Sequence, residues 1–335
     1  MVNRLPLIAV ILVALSASGQ SRGPSKTTLK QIAAIDLPGP PGKRFDYLVI
    51  DFDDDYLLSS HLAAGLLHVI DLKTNRPIKA IPDVPGSEGV EYVPELKKAY
   101  TSDWYENKVG VVDLKQMKVI AKIPVDDKPD GSAYATPFHK LYVSNERGKT
   151  ESVIDVMTDK KLATLRFDSE TGMPQYDPIS RKLLLNLQDK DTIAEIDPAT
   201  DRVSARYHVA DCKSNHGMVL DPDHRRAFLV CEESHRVAVF DLDKHRTVVT
   251  LAIPSGGDVI KFDPGLRRIY VACYSGAISV IQQDDPDHYR KLEDFPVQKK
   301  VHSIAVDPRT HRVYAPEEQE NGKPVARMIV YEAVP

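Results

Sequence analysis

Apolar residues in this chain fall in short runs rich in β-branched and aromatic side chains, broken by polar turn segments. One set reads Lys98-Ala99-Tyr100-Thr101, Leu141-Tyr142-Val143-Ser144-Asn145, Leu183-Leu184-Leu185-Asn186, Ala227-Phe228-Leu229-Val230-Cys231, Ile269-Tyr270-Val271-Ala272-Cys273 and Val313-Tyr314-Ala315. Such runs predict strands. A further strand follows each, ending in aspartate in five cases: Val69-Ile70-Asp71, Val111-Val112-Asp113, Val153-Ile154-Asp155, Glu195-Ile196-Asp197 and Val239-Phe240-Asp241. Turn segments such as Lys73-Thr74-Asn75-Arg76 then lead into a last strand such as Val119–Ile123. Beyond the first residues, every apolar run is too short for a capped helix.

The pattern counts off equal units. Asp46, Glu88, Asp130, Gly172, His216, Asp258 and His302 stand near the starts of seven predicted inner strands, with steps of 42, 42, 42, 44, 42 and 44 residues. Four-stranded units of this period predict the blades of an all-β, seven-bladed β-propeller. The last unit stops after Met328-Ile329-Val330-Tyr331, so its missing strand is expected from Leu29–Ile35. That pairing closes the ring and removes an unpaired edge.

Leu141-Tyr142-Val143-Ser144-Asn145 and Val153-Ile154-Asp155-Val156-Met157-Thr158 resemble the repeat of the YVTN family of β-propellers, the YncE-like proteins. Arg44-Phe45-Asp46-Tyr47 resembles the opening of the first blade in a secreted bacterial branch. The likeness covers nearly the whole mature chain. It implies the fold and no particular activity. Blade four departs from the pattern with Gly172 where its neighbours carry acids, and blade six has Val280-Ile281-Gln282 where most units end in aspartate.

Residues 1–19 carry Arg4, the apolar run Leu5–Leu15 and the small residues Ser16-Ala17-Ser18-Gly19. This reads as a secretory signal peptide, too short in its apolar part for a membrane span. Residues 20–25 read as a polar leader and 26–335 as one propeller domain, periplasmic or extracellular, with no membrane anchor after cleavage. Cysteine usage agrees. Cys212 precedes the first strand of blade five and Cys231 ends the second, so a hairpin brings them to one face and a disulfide is expected. Cys273 is left over; it reads as a buried thiol, with metal ligation or a competing disulfide as the alternatives. With 44 basic and 48 acidic residues and a net charge of −4, scattered along the chain, no basic stripe supports nucleic-acid binding.

Ring closure would place Asp46, Glu88, Asp130, His216, Asp258 and His302 around one channel mouth. A surrounding tier is expected from the loops between second and third strands. It comprises the acids Asp103, Glu146, Glu232, Glu233, Glu317 and Glu318, together with His61, Trp104, Tyr105, Asn145, Gln188 and Tyr274. Adjacent carboxylates about 7 Å apart repel by roughly 2 kcal/mol at an effective dielectric near 20, so a pKa rises or a cation compensates. The arc His216, Asp258, His302 and Asp46 offers two imidazoles and two carboxylates, a donor set for zinc, copper or manganese. Against this stands a purely structural role, with polar rim side chains satisfying backbone groups. Trp104-Tyr105 offers a stacking surface for a sugar, or packing over its own loop. The recurring Asp221-Pro222, Asp263-Pro264 and Asp307-Pro308 read as turn chemistry.

No Gly-x-Ser-x-Gly elbow, phosphate loop or His-Glu-x-x-His pair is present in the sequence. The expectation is therefore a binding or scaffold protein for a small ligand, a protein or a glycan. A metal-dependent hydrolase of lactones or esters, with Glu88 or Asp130 as general base, is the alternative. A quinoprotein-dehydrogenase-like propeller ranks last.

Overall fold

The structure, a computed structural model, describes residues 27–334. The expected signal peptide and polar leader lie outside the described residues. Twenty-eight strands form seven four-stranded antiparallel sheets. Blade 2 is representative, with strands Ser87–Val93, Lys98–Asp103, Lys108–Asp113 and Lys118–Pro124 in spatial order. First strands of successive sheets touch one another, and the seventh touches the first, so they line a closed central channel.

Closure occurs as the sequence predicts. Leu29–Asp36 pairs antiparallel with Lys323–Ala333, running from Leu29 opposite Ala333 to Asp36 opposite Arg327. The remaining strands of this seventh sheet are Arg312–Glu320 and Ala305–Asp307. Apart from single-turn 3₁₀ segments such as Leu62–Ala64, the described residues hold no helix, and none long and apolar enough to cross a membrane.

Burial explains the residue pattern. Second strands lie mid-sheet between neighbouring blades, so Leu57, Tyr100, Tyr142, Leu183, Phe228 and Tyr270 are buried. Outer strands face solvent on one side, and five begin with a basic residue: Arg76, Lys118, Lys160, Arg202 and Arg246. Charge at an outer edge discourages pairing with another chain.

Third-strand aspartates organise the hairpins. The Asp71 carboxylate accepts the Lys73 and Thr74 backbone N–H groups at 2.8 and 2.7 Å, and Asp113 and Asp241 do the same for their turns. Such side-chain turns fix where each strand reverses. Asp159 and Asp201 at the ends of two of these hairpins bind the preceding blade. Asp159 takes Lys98 and Tyr100, each at 2.6 Å, and Asp201 takes Lys140 at 2.7 Å and Tyr142 at 2.5 Å. The blade-six insertion also packs against a neighbour: Arg226 of blade 5 donates to the Pro286 carbonyl and pairs with Asp287.

Cys212 and Cys231 form a disulfide with Cα atoms 5.1 Å apart. It fits an oxidising compartment. Cys273 is free and buried, and burial, first among the causes, pushes its thiol up to about 12. Replacing Cys212 and Cys231 together by alanine is predicted to lower the urea unfolding free energy by about 3 kcal/mol. An unchanged urea midpoint contradicts this. Native protein should also expose no thiol to a thiol-specific reagent, with Cys273 reacting only after unfolding.

Candidate functional site at the channel mouth

In five blades the inner strand slips register at the rim residue. Ser87 pairs with Asp103 but Val90 pairs with Thr101, leaving Glu88 and Gly89 opposite a single residue. The same slip holds Asp130-Gly131, Gly172-Met173, His216-Gly217 and Asp258-Val259. A bulge re-aims its side chain out of the sheet plane, here toward the axis. It also lets blades approach: a Cβ on Gly89 or Gly217 would stand 2.1 Å from the carbonyl oxygen of Asp130 or Asp258 in the next blade. The rim-residue–glycine pair in blades 2, 3 and 5 was the sequence signal for this device, and counting the period alone missed it.

Two clusters form around the mouth. In the first, Arg44 donates to Asp46 at 2.7 Å, its Nε lies 3.2 Å from His302 Nε2, and that nitrogen lies 3.3 Å from Asp46. His302 Nδ1 donates to the Lys300 carbonyl at 2.8 Å. In the second, His216 Nε2 lies 3.4 Å from Asp258, 3.8 Å from Asp130 and 3.3 Å from the Tyr47 hydroxyl. Asp130 belongs to blade 3 and His216 to blade 5; the missing side chain at Gly172 lets the imidazole reach across blade 4. Asn186 fixes the backbone there by donating to the His216 carbonyl at 2.6 Å. Tyr47, from blade 1, spans the channel beneath them. Arg44 and Tyr47 entered the sequence reading only within the first-blade resemblance.

Asp46, Glu88, Asp130, Glu146, Glu232, Glu233 and Asp258 face this space together with the cationic Arg44, His216 and His302. Burial pushes Glu88 well above the usual carboxyl range, and the Asp46 and Asp130 charges add to it. Burial likewise pushes Asp130 up to about 8, helped by Glu146, Asp46 and Asp258 and opposed by His216. Asp258 and Glu232 rise as well, again chiefly from burial. Burial disfavours charge on His216, but Glu232, Asp258, Asp130 and Glu146 outweigh it and hold the imidazole up to about 10. His302 is held up to about 9 against its burial by the Asp46 hydrogen bond and charge. Asp46 is depressed despite its burial by His302 and Arg44. The mouth therefore stores protons at neutral pH.

Sets of metal-ligating atoms all within 4.8 Å of one another are Asp130–Glu146–His216 and His216–Glu232–Asp258. The expected arc divides: His216 and Asp258 stay together, whereas Asp46 and His302 are tied to Arg44. Within the second cluster, His216 Nδ1, Asp130 Oδ1 and Asp258 Oδ1 are buried without hydrogen-bond partners among the described residues. Gln188 donates to Glu146 at 3.2 Å. Above Asp258 and His302 an open cleft of about 470 Å³ is lined by Arg44, Glu232, Glu233 and Tyr274. Tyr274 is 47 % exposed there.

Other members of the expected tier have different surroundings. His61 stacks on Phe45 at 3.8 Å and bonds to His68 and the Lys43 carbonyl. Asn145 is buried and donates to Thr150 and Ser152. Asp103 accepts from Thr101 and is pushed up to about 8 by burial. Trp104 lies between Lys128 and Arg147, at 5.2 and 5.4 Å, which packs its ring over the loop. Tyr105 is exposed against Gly86. Glu317 sits in the seventh sheet opposite Arg327, and Glu318 pairs with Lys300 at 2.7 Å.

No family model matches the chain, and no curated protein matches it. Solved structures do. Hydrazine synthase of Kuenenia stuttgartiensis superposes with a TM-score of 0.75 at 16 % identity, covering 89 % of this chain and 96 % of that one. The WD40 repeats of RRP9 give 0.73 at 12 % identity, covering 90 % and 99 %. U3-55K gives 0.72 at 12 % identity, covering 92 % and 99 %. At these identities the likeness shows the fold alone: the chain is a seven-bladed β-propeller.

Raised carboxyl values set a sign for stability. Between the ordinary carboxyl range and about 8, folded Asp130 holds a proton that the unfolded chain releases, so stability falls as pH rises. His216 acts in the same direction at higher pH: its contribution is full below its ordinary value near 6.5 and is lost through about 10. Asp46 has the opposite sign, losing stability only as pH drops through its depressed value. Between about pH 5 and about pH 8, Asp130→Asn is predicted to lose stability less steeply than wild type, by up to about 1.4 kcal/mol per pH unit. Urea unfolding across that range measures it, and parallel curves contradict it.

Proposed function

We propose that this chain is a secreted binding protein of the YVTN-repeat (YncE-like) type whose channel mouth takes a divalent metal ion. The observation that carries the reading is His216, flanked by an acid pair on each side and sharing the cluster's unpartnered buried atoms. One imidazole with carboxylates suits manganese or zinc. Both donor sets need the same imidazole, so the mouth takes one ion. The N-terminal signal pattern and the disulfide support secretion.

Binding would replace stored protons with metal charge, relieving the repulsion among Asp130, Glu146, Glu232 and Asp258. Without an ion, burial keeps Asp130 protonated near neutrality and favours the protonated form of Glu88, which suits proton exchange rather than general-base chemistry. Turnover of lactones or esters by the metal-loaded protein is the result that would favour a hydrolase instead.

Calorimetric titration of the purified protein with manganese and with zinc tests the proposal. One ion per chain is expected, with His216→Ala weakening it by at least roughly tenfold. Of the pairs Asp130→Asn/Glu146→Gln and Glu232→Gln/Asp258→Asn, the one that supplies the ligands should weaken binding by a similar factor. Undetectable binding at millimolar metal, or an affinity unchanged by His216→Ala, contradicts the reading.

A further inference from the structure

Below Tyr47 the channel opens into a second cavity, of about 610 Å³, that the mouth chemistry does not use. Tyr47 is its roof: the phenol touches His216 on the mouth side while the same side chain lines the cavity. Three positions beyond the rim residues, the inner strands of blades 2, 4 and 6 place Glu91, Gln175 and Lys261 in its wall. Val90 and Met173 supply apolar surface.

Glu91 and Lys261 are an acid and a base on blades 2 and 6; burial pushes Glu91 up to about 7 and Lys261 down, and each group's field on the other only partly offsets this. They nevertheless form no ion pair; among the described residues Lys261 has neither a salt-bridge nor a hydrogen-bond partner at its ammonium. Ser132 also lines the cavity, only 4 % exposed, and its hydroxyl has no hydrogen-bond partner. Partly buried charges held apart on a concave wall each lack the counter-charge that offsets desolvation. A ligand carrying one charge would satisfy one wall and leave the other uncompensated.

We propose that this cavity binds a small zwitterion, an amino acid with an apolar side chain. Its ammonium faces Glu91, its carboxylate faces Lys261, and its side chain lies on Val90 and Met173. The cavity volume is in the range of small-molecule sites, and its wall mixes apolar residues with Ser132, Tyr134, Gln175 and a second cation, Arg181. Nothing in this assignment depends on a metal at the mouth.

Calorimetric titration of the wild-type protein with leucine, leucinamide and 4-methylpentanoate tests it. Leucine should bind, and the two analogues, lacking the carboxylate or the ammonium, should each bind at least roughly tenfold more weakly. Lys261→Met should erase the advantage of leucine over leucinamide, and Glu91→Gln its advantage over 4-methylpentanoate. No binding of leucine at about 10 mM, or equal affinity for the three compounds, overturns the proposal. Analogue preferences that persist in both folded variants overturn it too. The analogue series is read on wild type, so it decides the matter even where a variant fails to fold.

Discussion

Closing seven sheets on one axis is the constraint from which the rest of the molecule follows. A four-stranded sheet with apolar faces cannot stand alone in water; each blade here is covered by two neighbours because Leu29–Asp36 completes the last sheet and leaves the ring no open position. The same closure forces the rim residues of all blades toward a common point. Asp46, Glu88, Asp130 and Asp258 meet there whatever their separation in sequence. Their repulsion must then be met by burial-driven protonation, by Arg44 or by an imidazole.

Irregularities in the repeat turn a symmetric ring into a differentiated site. Gly172 removes one side chain, and the gap lets His216 approach Asp130 across a whole blade. Arg44, in the segment leading into blade 1, settles Asp46 and His302 into one charged cluster and leaves the acids around His216 to share a single imidazole. Tyr47 closes the channel below. One pore thus becomes an acidic mouth and a separate lower chamber with opposite charges on its walls.

The architecture was legible because repetition multiplies weak local signals. A single run such as Leu183–Asn186 is ambiguous, but seven equally spaced units are not. Terminal closure and the Cys212–Cys231 bridge followed from the same register. The site was legible only as a list of residues facing an axis. Which of them touch depends on bulges, on Gly89 and Gly217 admitting a neighbour's carbonyl, and on the reach of Arg44 and Tyr47, none of which a period reports. Placing His61 and Glu317 at the mouth rested on their spacing, whereas stacking on Phe45 and pairing opposite Arg327 decide their surroundings. Glu91 and Lys261 were passed over within apolar strands, where a lone charge three residues beyond the rim was the available signal.

Proton storage at the mouth is the claim on which the functional account turns, and counting protons addresses it directly. Titrating the protein with manganese near pH 7 in buffers of different ionisation enthalpy gives the number of protons released per ion bound. The account predicts release of about one proton or more, because His216 must lose its proton to ligate and a neighbouring carboxyl must ionise. Asp130→Asn should release fewer. Binding with no proton release would contradict the account, because the mouth would then hold its acids ionised and His216 neutral.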